Sequence, residues 1–148
     1  MAIWVVSHCD TVSKRESYVK QLKKFMKVDT FGACGKPMKC PYIGDCTPEL
    51  EELCKNSHFD FNDECKITVE KRYKFYLAFE NSHCDDYWTE KLSHCFNLPI
   101  VPIVMGGANY SFILPKEAYI NVDDYASPKE LAKYLNYLDS NWVKIYLI

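Results

Sequence analysis

The stretch Phe75-Tyr76-Leu77-Ala78-Phe79-Glu80-Asn81-Ser82, followed by Asp86-Tyr87-Trp88-Thr89-Glu90-Lys91-Leu92, decides how the chain is read. An apolar run from Tyr73 to Phe79 has strand character and gives way to a short polar loop. Aromatic, acidic and basic groups then crowd the opening turn of a helix predicted over 89–96. In open α/β sheets ligands gather where strands end and helices begin, because helix N-termini offer unpaired N–H groups and a partial positive charge. Asn81, Tyr87, Glu90 and Lys91 are the types that bond sugar hydroxyls, stack a ring and neutralise phosphate. A capped helix with a solvated face is the plain alternative.

Outward from this stretch the pattern alternates. Upstream, Ile3–Ser7 is a short continuous apolar run, as a buried parallel strand should be. A helix predicted over 14–26 follows, with Ser13 and Glu16 in capping-box spacing and Tyr18, Leu22, Phe25 and Met26 on one face. Val28–Phe31 is the next strand. Downstream, Leu92, Cys95 and Phe96 are expected to face the core from the 89–96 helix. Strand Ile100–Val104, the Gly106-Gly107 turn and a short strand near Tyr119–Val122 come next. A last helix over 128–138 opens with Ser127 as cap, Pro128 at its first position and Glu130 at its third, and carries the stripe Leu131, Tyr134, Leu135 and Leu138. The fold class is α/β: a Rossmann-like parallel sheet with flanking helices. The G-x-G-x-x-G spacing of dinucleotide binders is missing, which argues against an NAD enzyme.

A chain of 148 residues predicts one domain, and an apolar fraction of 48% is enough to bury a core. Eighteen basic against 20 acidic residues leave a net charge of −2, without the basic excess that a nucleic-acid partner requires. Lys14, Lys20, Lys23, Lys24 and Lys27 read as a solvated helix face. Eight cysteines without a C-x2-C pair favour disulfides over zinc, and so an oxidising compartment. Five of them fall in the proline-bearing stretch Cys34–Lys66, where pairing is most expected and where Thr47 caps a short helix from Pro48 to Cys54. Asn109-Tyr110-Ser111 is a glycosylation sequon. Asp123-Asp124 reads as a loop feeding the Ser127 cap rather than a metal pair, His94 as a packed residue, and Gly106–Tyr110 as a turn or a phosphate cradle. No segment approaches the roughly 20 apolar residues of a membrane span. The start enters a strand at once, and with so many cysteines the chain is expected to be part of a longer secretory protein.

FYLAFENS…DYWTEKL resembles the signature of the α1,3-fucosyltransferases, usually FYL(S/A)FENS…DY(V/I)TEKL. The likeness extends upstream to Trp4–Ser7, Arg15 and Val28–Gly35. Downstream it runs through Leu98–Val104, Gly106–Tyr110 and Ala126–Leu135, so that about Trp4 to Asn141 is covered. It implies one half of a two-domain glycosyltransferase fold: residues 1–141 as the GDP-fucose donor-binding domain, 34–66 as a cysteine-rich insertion, 142–148 as a divergent tail. It implies a donor site of Arg15, Asn81, Tyr87, Glu90 and Lys91. Arg15 and Lys91 would meet the diphosphate, and Glu90 would orient the sugar as the catalytic contact. The implied reaction is inverting transfer of fucose from GDP-fucose to the 3-hydroxyl of GlcNAc on a glycan or glycoprotein, with no cofactor required and cation stimulation left open. It further implies the Golgi lumen, with membrane attachment only through an N-terminal anchor that this chain lacks. Trp88 departs from the usual Val or Ile and would extend the pocket wall or obstruct it. The family's catalytic base belongs to the other half, so this chain alone is expected to bind rather than catalyse. The alternative is a non-catalytic nucleotide-sugar-binding module.

Overall fold

The computed structural model describes residues 1–36, 69–96 and 98–141. Its elements alternate along the chain: β1 (Ala2–Val5), α1 (Arg15–Leu22), β2 (Val28–Phe31), β3 (Phe75–Phe79), α2 (Glu90–Ser93), β4 (Val101–Met105), β5 (Ile120–Asn121) and α3 (Pro128–Ser140). Short 3-10 turns at Tyr110–Phe112, Lys116–Ala118 and Val122–Asp124 complete the β4–α3 connection. The five strands pair in parallel in the order β2-β1-β3-β4-β5. The expected parallel α/β sheet is therefore present.

The apolar runs are continuous because the sheet is covered on both sides. Side chains alternate across a strand. Phe75, Leu77 and Phe79 turn to one face, where they join Trp4, Ile103, Val19 and Leu22 of α1, and Leu131, Leu135 and Leu138 of α3. Tyr76 and Ala78 turn to the other, with Ile3, Val104, Leu92 and Cys95. All five residues of β3, and all five of β4, are buried.

The helix ends differ from expectation in instructive ways. α1 begins at Arg15 after Lys14, which takes a left-handed φ of 56° and makes no side-chain cap. The Ser13–Glu16 capping box does not form, because Ser13 donates instead to the Glu80 carbonyl at 2.8 Å. α1 also stops at Leu22, leaving Phe25 43% exposed. α2 is a single turn, since the chain must come back to β4. Cys95 still faces the core, but Phe96 is half exposed. At α3 the local signal holds: the Ser127 hydroxyl accepts from the Glu130 N–H at 3.3 Å, with Pro128 at the first position.

Parallel neighbours also bring the loops after β1 and β2 together. Cys9 and Cys34 are bonded across them, with a Cα–Cα separation of 5.3 Å. Cys34 thus pairs outside the Cys34–Cys65 segment where its partner was expected. Cys84 is exposed and Cys95 buried, both as free thiols. Most of the cysteine-rich insertion, including the segment Pro48–Cys54 where a short helix was expected, and the 142–148 tail lie outside the described residues. Among those described, no helix is long and apolar enough to cross a membrane.

Ser127→Ala removes a cap without touching the core, and is expected to lower stability by about 1 kcal/mol in urea unfolding with an unchanged m-value.

Candidate functional site

In the order β2-β1-β3-β4-β5 the connections diverge between β1 and β3, and ligands of such sheets sit outside the strand C-termini at that point. Polar burial converges on the same place. Among the described residues, the buried polar or charged ones are Thr11, Ser13, Arg15 and Glu80, all from the segments that follow β1 and β3. Buried charge is costly unless bonded. The bonding here is dense.

Arg15 is 1% exposed. Its Nη1 donates to the Phe79 carbonyl at 2.6 Å, Nη2 to the His8 carbonyl at 3.1 Å and Nε to Glu16 Oε1 at 3.3 Å. Its Cζ lies 5.9 Å from the centroid of the Trp4 ring. Read from sequence, Arg15 extends beside free helix N–H groups. In the structure it instead lashes the loop after β1 to the carboxyl end of β3. Glu16 completes this arrangement by accepting from Thr11 Oγ1 at 2.9 Å. Burial disfavours the Glu16 carboxylate, but its backbone N–H, Thr11 and Arg15 outweigh that and hold its pKa below the ordinary value.

Glu80 has no place in the donor site expected from the sequence. It is also 1% exposed. Its carboxylate accepts from the Thr89 N–H at 2.9 Å, from Thr89 Oγ1 at 2.9 Å and from Lys91 Nζ at 3.2 Å. Lys91 Nζ donates also to Thr89 Oγ1 at 2.8 Å and approaches Glu90 Oε1 at 3.6 Å. The α2 N-terminus is therefore capped by Glu80, nine residues upstream, because Thr89 caps nothing with its own side chain. A carboxylate directly after a fully buried strand, with Thr and Lys in the next helix start, was the available signal.

Asn81 and Tyr87 meet across the same loop, the Tyr87 hydroxyl donating to Asn81 Oδ1 at 3.3 Å. The Asn81 carbonyl accepts from the Ser13 N–H at 3.2 Å. Glu90 points outward, its side chain 67% exposed. Burial would raise its pKa, but its backbone N–H, Lys91 and His94 lower it below the ordinary carboxylate value. The Gly106-Gly107 turn closes the other flank. A Cβ on Gly107 would lie 2.3 Å from the Cys84 carbonyl oxygen, so only glycine allows the loops after β3 and β4 this approach. Val12, Trp88 and Phe112, exposed at 86%, 44% and 88%, belong to the loops after β1, β3 and β4. The segments bearing Arg15, Asn81, Tyr87 and Lys91 are thus tied to one another through the end of β3.

A parallel sheet with flanking helices, its buried charge at the switch point, defines a Rossmann-like domain. The sequence matches the model of the glycosyltransferase family 10 (fucosyltransferase) C-terminal region over residues 1–147, and the chain belongs to that family. It is 41% identical over 134 residues to alpha-(1,3)-fucosyltransferase C of Drosophila melanogaster, covering 90% of this chain and 27% of that protein. It is 38% identical over 140 residues to GDP-fucose protein O-fucosyltransferase 3 of Danio rerio, covering 94% of this chain and 28% of that protein. The chain therefore spans about a quarter of the length of these relatives. A crystal structure of an alpha1,3-fucosyltransferase with GDP-fucose superposes with a TM-score of 0.65 at 20% identity, over 98% of this chain and 37% of that one, and shows the shared fold.

Arg15→Met strips donors from two carbonyls and a carboxylate, and is expected to cost about 3 kcal/mol or more in urea unfolding. Because Glu16 is depressed in the folded state, its contribution is present above its unfolded value near 4.5 and is lost as pH falls through the lower folded value. The stability gap between the native chain and Glu16→Gln should accordingly narrow from pH 6 to pH 3.

Proposed function

We propose that this chain is the donor-binding part of an α1,3-fucosyltransferase, holding GDP-fucose while fucose passes to the 3-hydroxyl of a GlcNAc residue. The observation that carries the reading is Lys91, 18% exposed, whose ammonium is held at the carboxyl end of β3 by Glu80. An ammonium fixed there suits a diphosphate, as helix N-termini at sheet switch points generally do. Lys91 would take one phosphate directly. Arg15, with three of its five N–H donors bonded inside the fold, would add positive charge from beneath the same loop. Asn81 and Tyr87 would bound the nucleotide or sugar, and the outward carboxylate of Glu90 would accept from sugar hydroxyls.

In an inverting transfer the acceptor oxygen attacks the anomeric carbon as the bond to GDP breaks. The chain's own contribution is to stabilise charge on the departing phosphate, through Lys91 and Arg15. Glu90 would orient the sugar and favour an oxocarbenium-like transition state. Deprotonation of the acceptor is assigned to the N-terminal part of the family enzyme, so the chain by itself should bind without transferring. The Golgi lumen is the proposed site, in keeping with the Cys9–Cys34 bond. A protein acceptor is the second reading, favoured by the likeness to the protein O-fucosyltransferase.

In a thermal-shift titration, GDP at a hundredfold excess over its Kd should raise the Tm by about 5–10 °C. A folded sample unmoved by millimolar GDP would overturn the proposal. Lys91→Ala should weaken GDP binding about tenfold or more, and should lower the Tm without ligand as well, because Glu80 loses its cation.

A further inference from the structure

We propose that Glu80 is a positioning residue for the diphosphate, acting through Lys91; the proposal rests on the donor-site reading above. Helix capping alone explains only one of its bonds, that from the Thr89 N–H. The rest of the arrangement is a closed triangle. Thr89 Oγ1 donates to the Glu80 carboxylate at 2.9 Å, Lys91 Nζ donates to Glu80 Oε2 at 3.2 Å, and Lys91 Nζ donates to Thr89 Oγ1 at 2.8 Å.

A free lysine head samples many rotamers, and freezing them on binding costs affinity. Here the freezing is done before any ligand arrives. The anchor is itself immobile: Glu80 is buried, its N–H donates to the Met105 carbonyl at 2.8 Å, and its carbonyl accepts from the Ser13 hydroxyl at 2.8 Å. Its side chain has Gly106 against it, where a Cβ would come 3.2 Å from Cγ. Of the three ammonium protons of Lys91, two are committed to Glu80 and Thr89. The third is left for a phosphate oxygen, on the side where the Glu90 carboxylate stands 3.6 Å away. Glu80 thus fixes direction as well as place. Glu90 is the group an incoming phosphate would push aside.

The test is a double-mutant cycle on GDP affinity in the full chain, by calorimetry or thermal shift, with Glu80→Gln, Lys91→Met and the pair. Gln keeps one acceptor oxygen for the Thr89 N–H but lacks the negative charge and the second acceptor oxygen that face the Lys91 ammonium. Glu80→Gln is expected to weaken GDP about tenfold in the native background and less than about twofold in the Lys91→Met background. Guanosine, without phosphate, should bind Glu80→Gln and the native chain alike, so that the cycle does not depend on Lys91→Met folding alone. If Glu80→Gln fails to fold, Thr89→Val, which removes the joining hydroxyl, should repeat the pattern. An equal loss in both backgrounds, an equal loss for guanosine, or no loss of GDP affinity would overturn the inference while leaving the donor site standing. A folded native chain that binds no GDP would overturn both.

Discussion

The structure turns on one constraint: two opposite charges, Arg15 and Glu80, are buried to 1% exposure at the carboxyl end of a strand that has no charged side chain of its own. Each must be matched locally, or the desolvation cost would unfold the edge. Arg15 is matched by the Phe79 and His8 carbonyls and by Glu16. Glu80 is matched by Thr89 and Lys91. Satisfying the two charges draws the loops after β1 and β3 onto one another. Strain gathers there too, since Lys14 and Asp86, the non-glycine residues with positive φ among those described, lie in these two loops.

This has a consequence for how the site would be read by mutation. Lys91 and Arg15 bear on both stability and the proposed donor contact, so loss of activity in alanine variants alone would not separate the two. Asn81, Tyr87 and Glu90 are less entangled. Glu90 in particular is exposed and anchored chiefly by its neighbours on α2. Substitution there should leave the fold intact and report on the ligand.

The sheet was legible because β3 and β4 are buried on both faces and so show as unbroken apolar runs, which periodicity alone can read. The start of α3 was legible because Ser127, Pro128 and Glu130 act within one turn. What escaped was long-range. Ser13 looks like a cap in its own sequence window, yet its hydroxyl is claimed by Glu80, 67 residues away. The length of α1 was overstated because Phe25 and Met26 keep the helical spacing although the chain has already turned toward β2. Cys34 pairs with Cys9 because β1 and β2 are neighbours, a fact of topology and not of spacing. Of the site, the motif residues were visible as types, whereas the burial of Arg15 and the clamp by Glu80 exist only once β1 and β3 lie side by side.

The most direct test of a diphosphate site at the β1/β3 edge is amide chemical-shift mapping of the 15N-labelled chain as GDP is added. The expected perturbations fall on residues 8–16, 80–91 and 106–110, the three loops joined through Arg15, Glu80 and the Gly106-Gly107 turn. Shifts confined to the opposite ends of the strands, or to the α1–α3 face, would contradict a site built on that buried charge.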